Sequence, residues 1–272
     1  MKKTKGALFL HIVVWLAVLA IALPLVLLLV WSFANRWPTP ELFPTALSLR
    51  GWQRLFSGYF NIWQVTLSSV TLSLWVGAFS AIIAAMAARA ICLYSFPGKR
   101  LLEALVLLPV LIPATVFGMS IHALLIRWRL NNSIIAVVLC QLICALPFAM
   151  RVMLETTRLA SARLEEQARV LGAGSFAGFL HGSLPAIAPG LVSAWALSFL
   201  FSYTQYFLTL LVGGGKIKTL AILVMPLIEG SDRTISSVYS LLFIGSTAGI
   251  FWLMQGASAL LSKLGGKQLG GA

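Results

Sequence analysis

Residues 8–33 read LFLHIVVWLAVLAIALPLVLLLVWSF, an apolar run without a formal charge, set behind Lys2, Lys3 and Lys5. At 1.5 Å rise per helical residue, about 20 such residues cross the roughly 30 Å hydrocarbon core of a bilayer. The run is longer than the roughly 7–15 apolar residues of a secretory leader, so it is expected to be a retained membrane span.

The rest of the chain agrees. Hydrophobic residues make up 60% of the 272 and charged residues 10%, against roughly 45–50% and about 25% in a soluble protein. Such a chain has too little charge to cover a water-facing surface, and lipid is the expected solvent. The net charge of +13 sits mostly between the apolar runs, where Lys and Arg meet lipid headgroups and set orientation. No basic stretch with interleaved aromatics marks a nucleic-acid surface, so nucleic acid is not an expected partner.

Six stretches are long and apolar enough to span: 8–33, 63–88, 101–125, 134–153, 186–212 and 235–261. The expected fold is an all-α integral membrane protein, a single transmembrane domain over 1–272. Its N- and C-termini are expected on the cytoplasmic side, with a polar loop at 154–185 between the fourth and fifth spans. With the N-terminus inside, twelve of the twenty Lys and Arg fall in cytoplasmic segments and eight outside, the sign the positive-inside rule requires. The apolar stretch 220–228 is too short to cross and is expected at the interface.

Enzyme chemistry has no foothold. His11, His122 and His181 are far apart, and neither H-E-x-x-H nor G-x-S-x-G occurs. Gly213-Gly214-Gly215-Lys216 fails as a phosphate loop, because Leu210 stands where a glycine is needed and Ile217 where Ser or Thr is needed. Cys92, Cys140 and Cys144 lack the ligands and spacing of a zinc site, so no metal is expected and the three are read as packing residues. The seven acids avoid the middle of every span, whereas coupling to an ion gradient normally requires a carboxylate there. A gradient-driven secondary carrier therefore stands as the alternative to a transporter powered from elsewhere, and a membrane scaffold as a third.

The loop is the most informative segment. In LEEQARVLGAGSFAGFLHGSLP, residues 164–185, Leu164, Ala168 and Leu171 share a helical face, and Glu165 and Arg169 form an i,i+4 pair. Gly172 and Gly174 are placed to stop that helix through a left-handed cap. A second short helix then carries Phe176, Phe179 and Leu180 at i, i+3, i+4, before Pro185 and Pro189 at the entry to the fifth span. Two short helices joined at a glycine turn fit a plug for a partner's groove. They fit equally a re-entrant pair packed on its own bundle.

Glu166-Gln167-Ala168, Gly172 and Leu184-Pro185 resemble the cytoplasmic signature of type I (MetI-like) ABC importer permeases: E-A-A, three residues, G, nine residues, I-x-L-P. Gln167 replaces an alanine of that pattern and Gly182 its isoleucine. Leu108-Pro109 with Pro113, and Ala145-Leu146-Pro147-Phe148, are similar to the same family. The resemblance implies a permease subunit in the bacterial cytoplasmic (inner) membrane, with a coupling surface made of Glu165, Glu166, Ala168, Arg169, Gly172, Phe176, Phe179, Leu184 and Pro185. It also implies two ABC ATPase subunits that carry the ATP and Mg, a second permease chain, identical or related, and a periplasmic substrate-binding protein. This chain itself would bind no cofactor.

For the cargo route, Ser198, Ser202, Gln205 and Thr209 form a polar stripe at i, i+4, i+7, i+11 of the fifth span, flanked by Tyr203 and Tyr206. Either a water-accessible path or interhelical hydrogen bonding accounts for it. A stripe of Thr66, Ser69, Ser73, Gly77 and Ser80 on the second span is read as close packing, as are Gly245 and Gly249 on the sixth. The stretch 203–219 is similar to the branch that handles polyamines, metal ions and thiamine, which implies a cargo of that kind.

Overall fold

The computed structural model describes residues 2–35, 46–58, 61–160, 167, 170, 172 and 174–269. Among these the secondary structure is helical apart from one isolated bridge, Ala34 to Leu47. The helices are α1 (Lys2–Ser32), α2 (Arg50–Phe56), α3 (Ile62–Leu93), α4 (Lys99–Leu111), α5 (Ala114–Arg127), α6 (Ile134–Ala160), α7 (Leu184–Tyr203), α8 (Phe207–Gly213), α9 (Leu220–Glu229) and α10 (Arg233–Leu269). One α-helical turn, Ser175–Ala177, and a π-helical segment, Gly178–Ser183, lead into α7.

Five described helices are long and apolar enough to cross a membrane, or six if α4 and α5 count as one span. The third expected span, 101–125, is not one straight rod. It bends by 104° between α4 and α5. Pro113 has no N–H to continue the ladder and pushes the residue before it out of the helical region; Ile112 is accordingly extended, at φ −89° and ψ 130°. The fifth expected span, 186–212, is also interrupted, since α7 stops at Tyr203 and α8 starts at Phe207.

The chain forms two compact units, Met1–Ile62 with Leu223–Gly245, and Trp63–Ile222 with Ser246–Ala272. In the first, the middle of α1 is exposed along its length, as a lipid-facing helix would be, and the chain is tied down after its end. Ser48 N–H donates to Phe33 O at 2.7 Å, and the Thr234 hydroxyl to Ala34 O at 3.0 Å. Arg50 Nη2 reaches both carboxylate oxygens of Asp232, at 2.9 and 2.7 Å. Gly51 lets α2 lie against Thr234 and Val238.

The second unit is built on small side chains. Ala81, Ala84, Ala88 and Ile91 of α3 are buried with Ala149, Met150 and Met153 of α6 and Ile187 and Ala194 of α7. In lipid, where apolar surface alone does not drive helices together, small residues let backbones approach and recover dispersion energy. A Cβ at Gly77 would stand 2.9 Å from Trp195 O, and one at Gly190 would collide with the Thr156 side chain. Trp195 Nε1 donates to Leu74 O at 3.0 Å in the same seam. Cys140 is buried in a second cluster with Val76, Leu125, Val137 and Val212. One packing expectation fares differently from the α3 stripe. Gly245 and Gly249 face open space, with nothing within 4 Å of a Cβ at either. The stretch 220–228, expected at the interface, forms α9 with Leu220, Ala221 and Val224 buried, and Leu220 N–H is capped by Ser69 Oγ at 2.6 Å.

Candidate functional site

Of the residues expected at the coupling surface, Glu165, Glu166, Ala168 and Arg169 lie outside the described residues. Gly172 is exposed at φ +85°, with open space where a Cβ would stand. That conformation favours glycine, which is the reason a turn was expected there. Gly178 N–H donates to Gly174 O at 2.9 Å and opens the helical turn Ser175–Ala177.

The second loop helix is not the α-helix that the spacing of Phe176, Phe179 and Leu180 predicts. From Gly178 to Ser183 the winding is π, and Leu184 N–H bonds back five residues to Phe179 O. The wider turn takes the two phenylalanines off one face. Phe176 is 77% exposed, whereas Phe179 packs on the core of the second unit with the Arg89 guanidinium 5.1 Å above its ring. Leu184 is half-buried against the same core and Pro185 is exposed at the first turn of α7. The described part of this surface therefore offers Phe176 outward while Phe179 and Leu184 anchor it.

The stripe expected on the fifth span meets a residue that the spacing did not reveal. Ser198, Ser202 and Thr209 are buried, while Gln205 and Tyr206 are half-buried in the gap between α7 and α8. Gln141, fully buried on α6, bridges the gap: its Oε1 accepts from the Ser202 hydroxyl at 2.6 Å and its Nε2 donates to Thr209 Oγ1 at 2.7 Å. Ser202 Oγ is also 3.1 Å from Ser73 Oγ of α3. Gln141 is the single amide side chain in the run 134–153, the one signal that could have singled it out. The backbone at the gap is satisfied locally. Gln205 N–H donates to Ser202 O at 3.1 Å, the Thr204 hydroxyl lies 3.0 Å from Leu200 O, and the Thr209 hydroxyl donates to Gln205 O at 2.6 Å. Irregular backbone at membrane depth is tolerated where protein buries it or where it lines a cavity. Among the described residues no three His, Cys, Asp or Glu side chains gather as a metal site.

The sequence profile of the family described as "binding-protein-dependent transport system inner membrane component" matches residues 77–263. The chain is 25% identical over 227 residues to a probable ABC transporter permease of Pyrococcus horikoshii, covering 75% of this chain and 81% of that one. It is 24% identical over 224 residues to the sulfate transport system permease CysT of Escherichia coli, covering 76% and 78%. To the spermidine/putrescine permease PotC of Haemophilus influenzae it is 23% identical over 198 residues, covering 72% and 77%. A crystal structure of a bacterial ABC transporter involved in the import of the acidic polysaccharide alginate matches with a TM-score of 0.71 at 14% identity, over 94% of this chain and 97% of that chain. This last likeness is one of fold.

Proposed function

Because the chain belongs to the family of binding-protein-dependent transport system inner membrane components, a family of non-enzymatic transport subunits, we propose that it forms half of the cargo route of an ATP-driven importer. A separate ATPase drives it through the loop 154–185. In this reading the N- and C-termini and that loop are cytoplasmic, and the six spans count the bent α4–α5 pair as one. A second permease chain completes the route, two ATPase subunits dock below, and a binding protein delivers cargo from outside.

The observation that carries the coupling role is the described end of the loop. A left-handed Gly172 precedes a short turn that holds Phe176 77% exposed, while Phe179 and Leu184 fasten that turn to the bundle. Burying one phenylalanine in a partner's groove contributes about 1.5–3 kcal/mol before ordering costs. Gly172→Val and Phe176→Asp are expected to lose the ATPase during purification, or to cut cargo-stimulated hydrolysis at least about tenfold for a loss of this size, with the helices still folded. Full ATPase recovery and stimulation in both variants would remove the loop from coupling.

The cargo is proposed to be a small hydrophilic solute of the polyamine, metal-ion or thiamine kind, passing the gap between α7 and α8, where Gln205 and Tyr206 are half-buried. Relatives are named for sulfate as well as for spermidine and putrescine. Competition for uptake by sulfate and by spermidine separates the two charge classes.

A further inference from the structure

The fifth expected span, 186–212, is interrupted between α7 and α8, and the side chain of Gln141 on α6 reaches both sides of the interruption. We propose that Gln141 is a positioning residue for transport: its amide holds α7 and α8 in register across the gap, so that Gln205 and Tyr206 stand at a fixed place along the cargo route. The proposal rests on the reading that this gap lines the route.

Three features of the contact carry it. A primary amide presents an acceptor and a donor on one rigid plane, and here each is used on a different helix, Ser202 on α7 and Thr209 on α8. Next, the bonds run in one direction. Gln141 donates to Thr209, whose own hydroxyl proton goes to Gln205 O at 2.6 Å, so the amide acts through Thr209 on the backbone of Gln205. Hydrogen bonds in such a chain polarise and strengthen one another. Finally, the contact is buried. Gln141 and Thr209 are fully buried and Ser202 nearly so, so no solvent replaces a bond that is lost, and an amide there with one unmet group is costly. Packing alone would be served as well by methionine or leucine of similar volume; the amide is needed because two differently polarised partners are met at once.

The test uses the assembled transporter, with its ATPase and binding protein, in vesicles. Cargo moved per ATP hydrolysed is measured for Gln141→Met, Thr209→Val, the double variant, Thr209→Ser and Gln205→Leu. Two interhelical bonds of ordinary membrane strength correspond to a change of about five- to tenfold, and that fall in the cargo-to-ATP ratio is expected for Gln141→Met, which loses both; Thr209→Val, which loses one, is expected to lower it about threefold. The double variant is expected to be no worse than Gln141→Met, because both substitutions cut one chain of bonds, and Thr209→Ser to recover the native ratio. A defect of folding alone lowers the amount of complex and leaves the ratio unchanged. In parallel, Gln205→Cys, with Cys92, Cys140 and Cys144 replaced by alanine, is labelled by a water-soluble maleimide with and without Gln141→Met. A labelling rate altered about five- to tenfold is expected. A lowered ratio in Gln205→Leu with a native ratio in Gln141→Met overturns the clamp and leaves the route standing. A native ratio in Gln205→Leu overturns the route, and the labelling rate then decides the clamp: altered, it stands as geometry; unaltered, it falls.

Discussion

Gln205 is the residue whose side chain stands nearest to a choice between packing and transport. It is half-buried, and its backbone, rather than its amide, makes the bonds that close the gap, to Ser202 O and from Thr209. Replacing the amide with an apolar side chain of similar size leaves those bonds in place, so Gln205→Leu is expected to keep assembly within about twofold, an effect of surface-substitution size, while lowering cargo uptake. Uptake at limiting cargo together with the yield of assembled complex checks this, and unchanged uptake takes Gln205 off the route. The polar stripe itself was legible from spacing, because Ser198, Ser202, Gln205 and Thr209 recur at helical intervals. What spacing did not convey is that the helix stops inside the stripe. Ser202 and Thr209 are joined through Gln141, a contact across 61 and 68 residues of sequence. Periodicity within one segment carries no information about a partner on another.

At the scale of the element, the spans were legible from apolar length and their interruptions were not. Pro113 breaks the third expected span by 104°, whereas Pro147 and Pro189 sit inside continuous helices. A proline marks a lost hydrogen bond, and neighbouring helices decide whether the backbone bends or is held straight. The π segment, Gly178–Ser183, likewise has no signature in the spacing of Phe176, Phe179 and Leu180, and next to it Phe176 is exposed while Phe179 packs on the core. Small residues carry the opposite lesson, since the same residue type serves close approach in one place and open surface in another. A Cβ at Gly190 collides with Thr156, whose hydroxyl is already tied to Val152 O at 2.8 Å. Gly190→Val is therefore expected to destabilise the α6–α7 seam by about 1–3 kcal/mol, the usual cost of overpacking. Gly249→Ala meets nothing within 4 Å, and in the isolated chain it is expected to be neutral or to stabilise the helix by about 0.5–1 kcal/mol. Thermal unfolding of the two variants in detergent, side by side with the native chain, checks both signs. Equal midpoints for the two variants contradict the seam as drawn.

For the whole molecule, the decisive matter is where the energy for uphill movement enters. Described acids stand away from the middle of the spans: Glu103 near the start of α4, Glu155 near the end of α6 paired with Arg158 at 3.5 Å, Glu229 at the end of α9 and Asp232 paired with Arg50 ahead of α10. Among the buried polar side chains of the second unit, Ser73, Gln141, Ser202 and Thr209 are neutral and hydrogen-bonded with one another. A proton crossing with cargo needs a group that changes protonation state along the way, which amide and hydroxyl groups do not do near neutral pH. Family membership and this distribution of charge both support the proposed reading, in which the chain supplies a route and a place to push. In vesicles holding this chain alone, a proton or sodium gradient is expected to drive no accumulation of cargo. Adding the ATPase, the binding protein and ATP is expected to start it, and Gly172→Val to stop it again. Accumulation by the lone chain under a gradient would place the motor inside the bundle and strip the loop at Gly172 of its role.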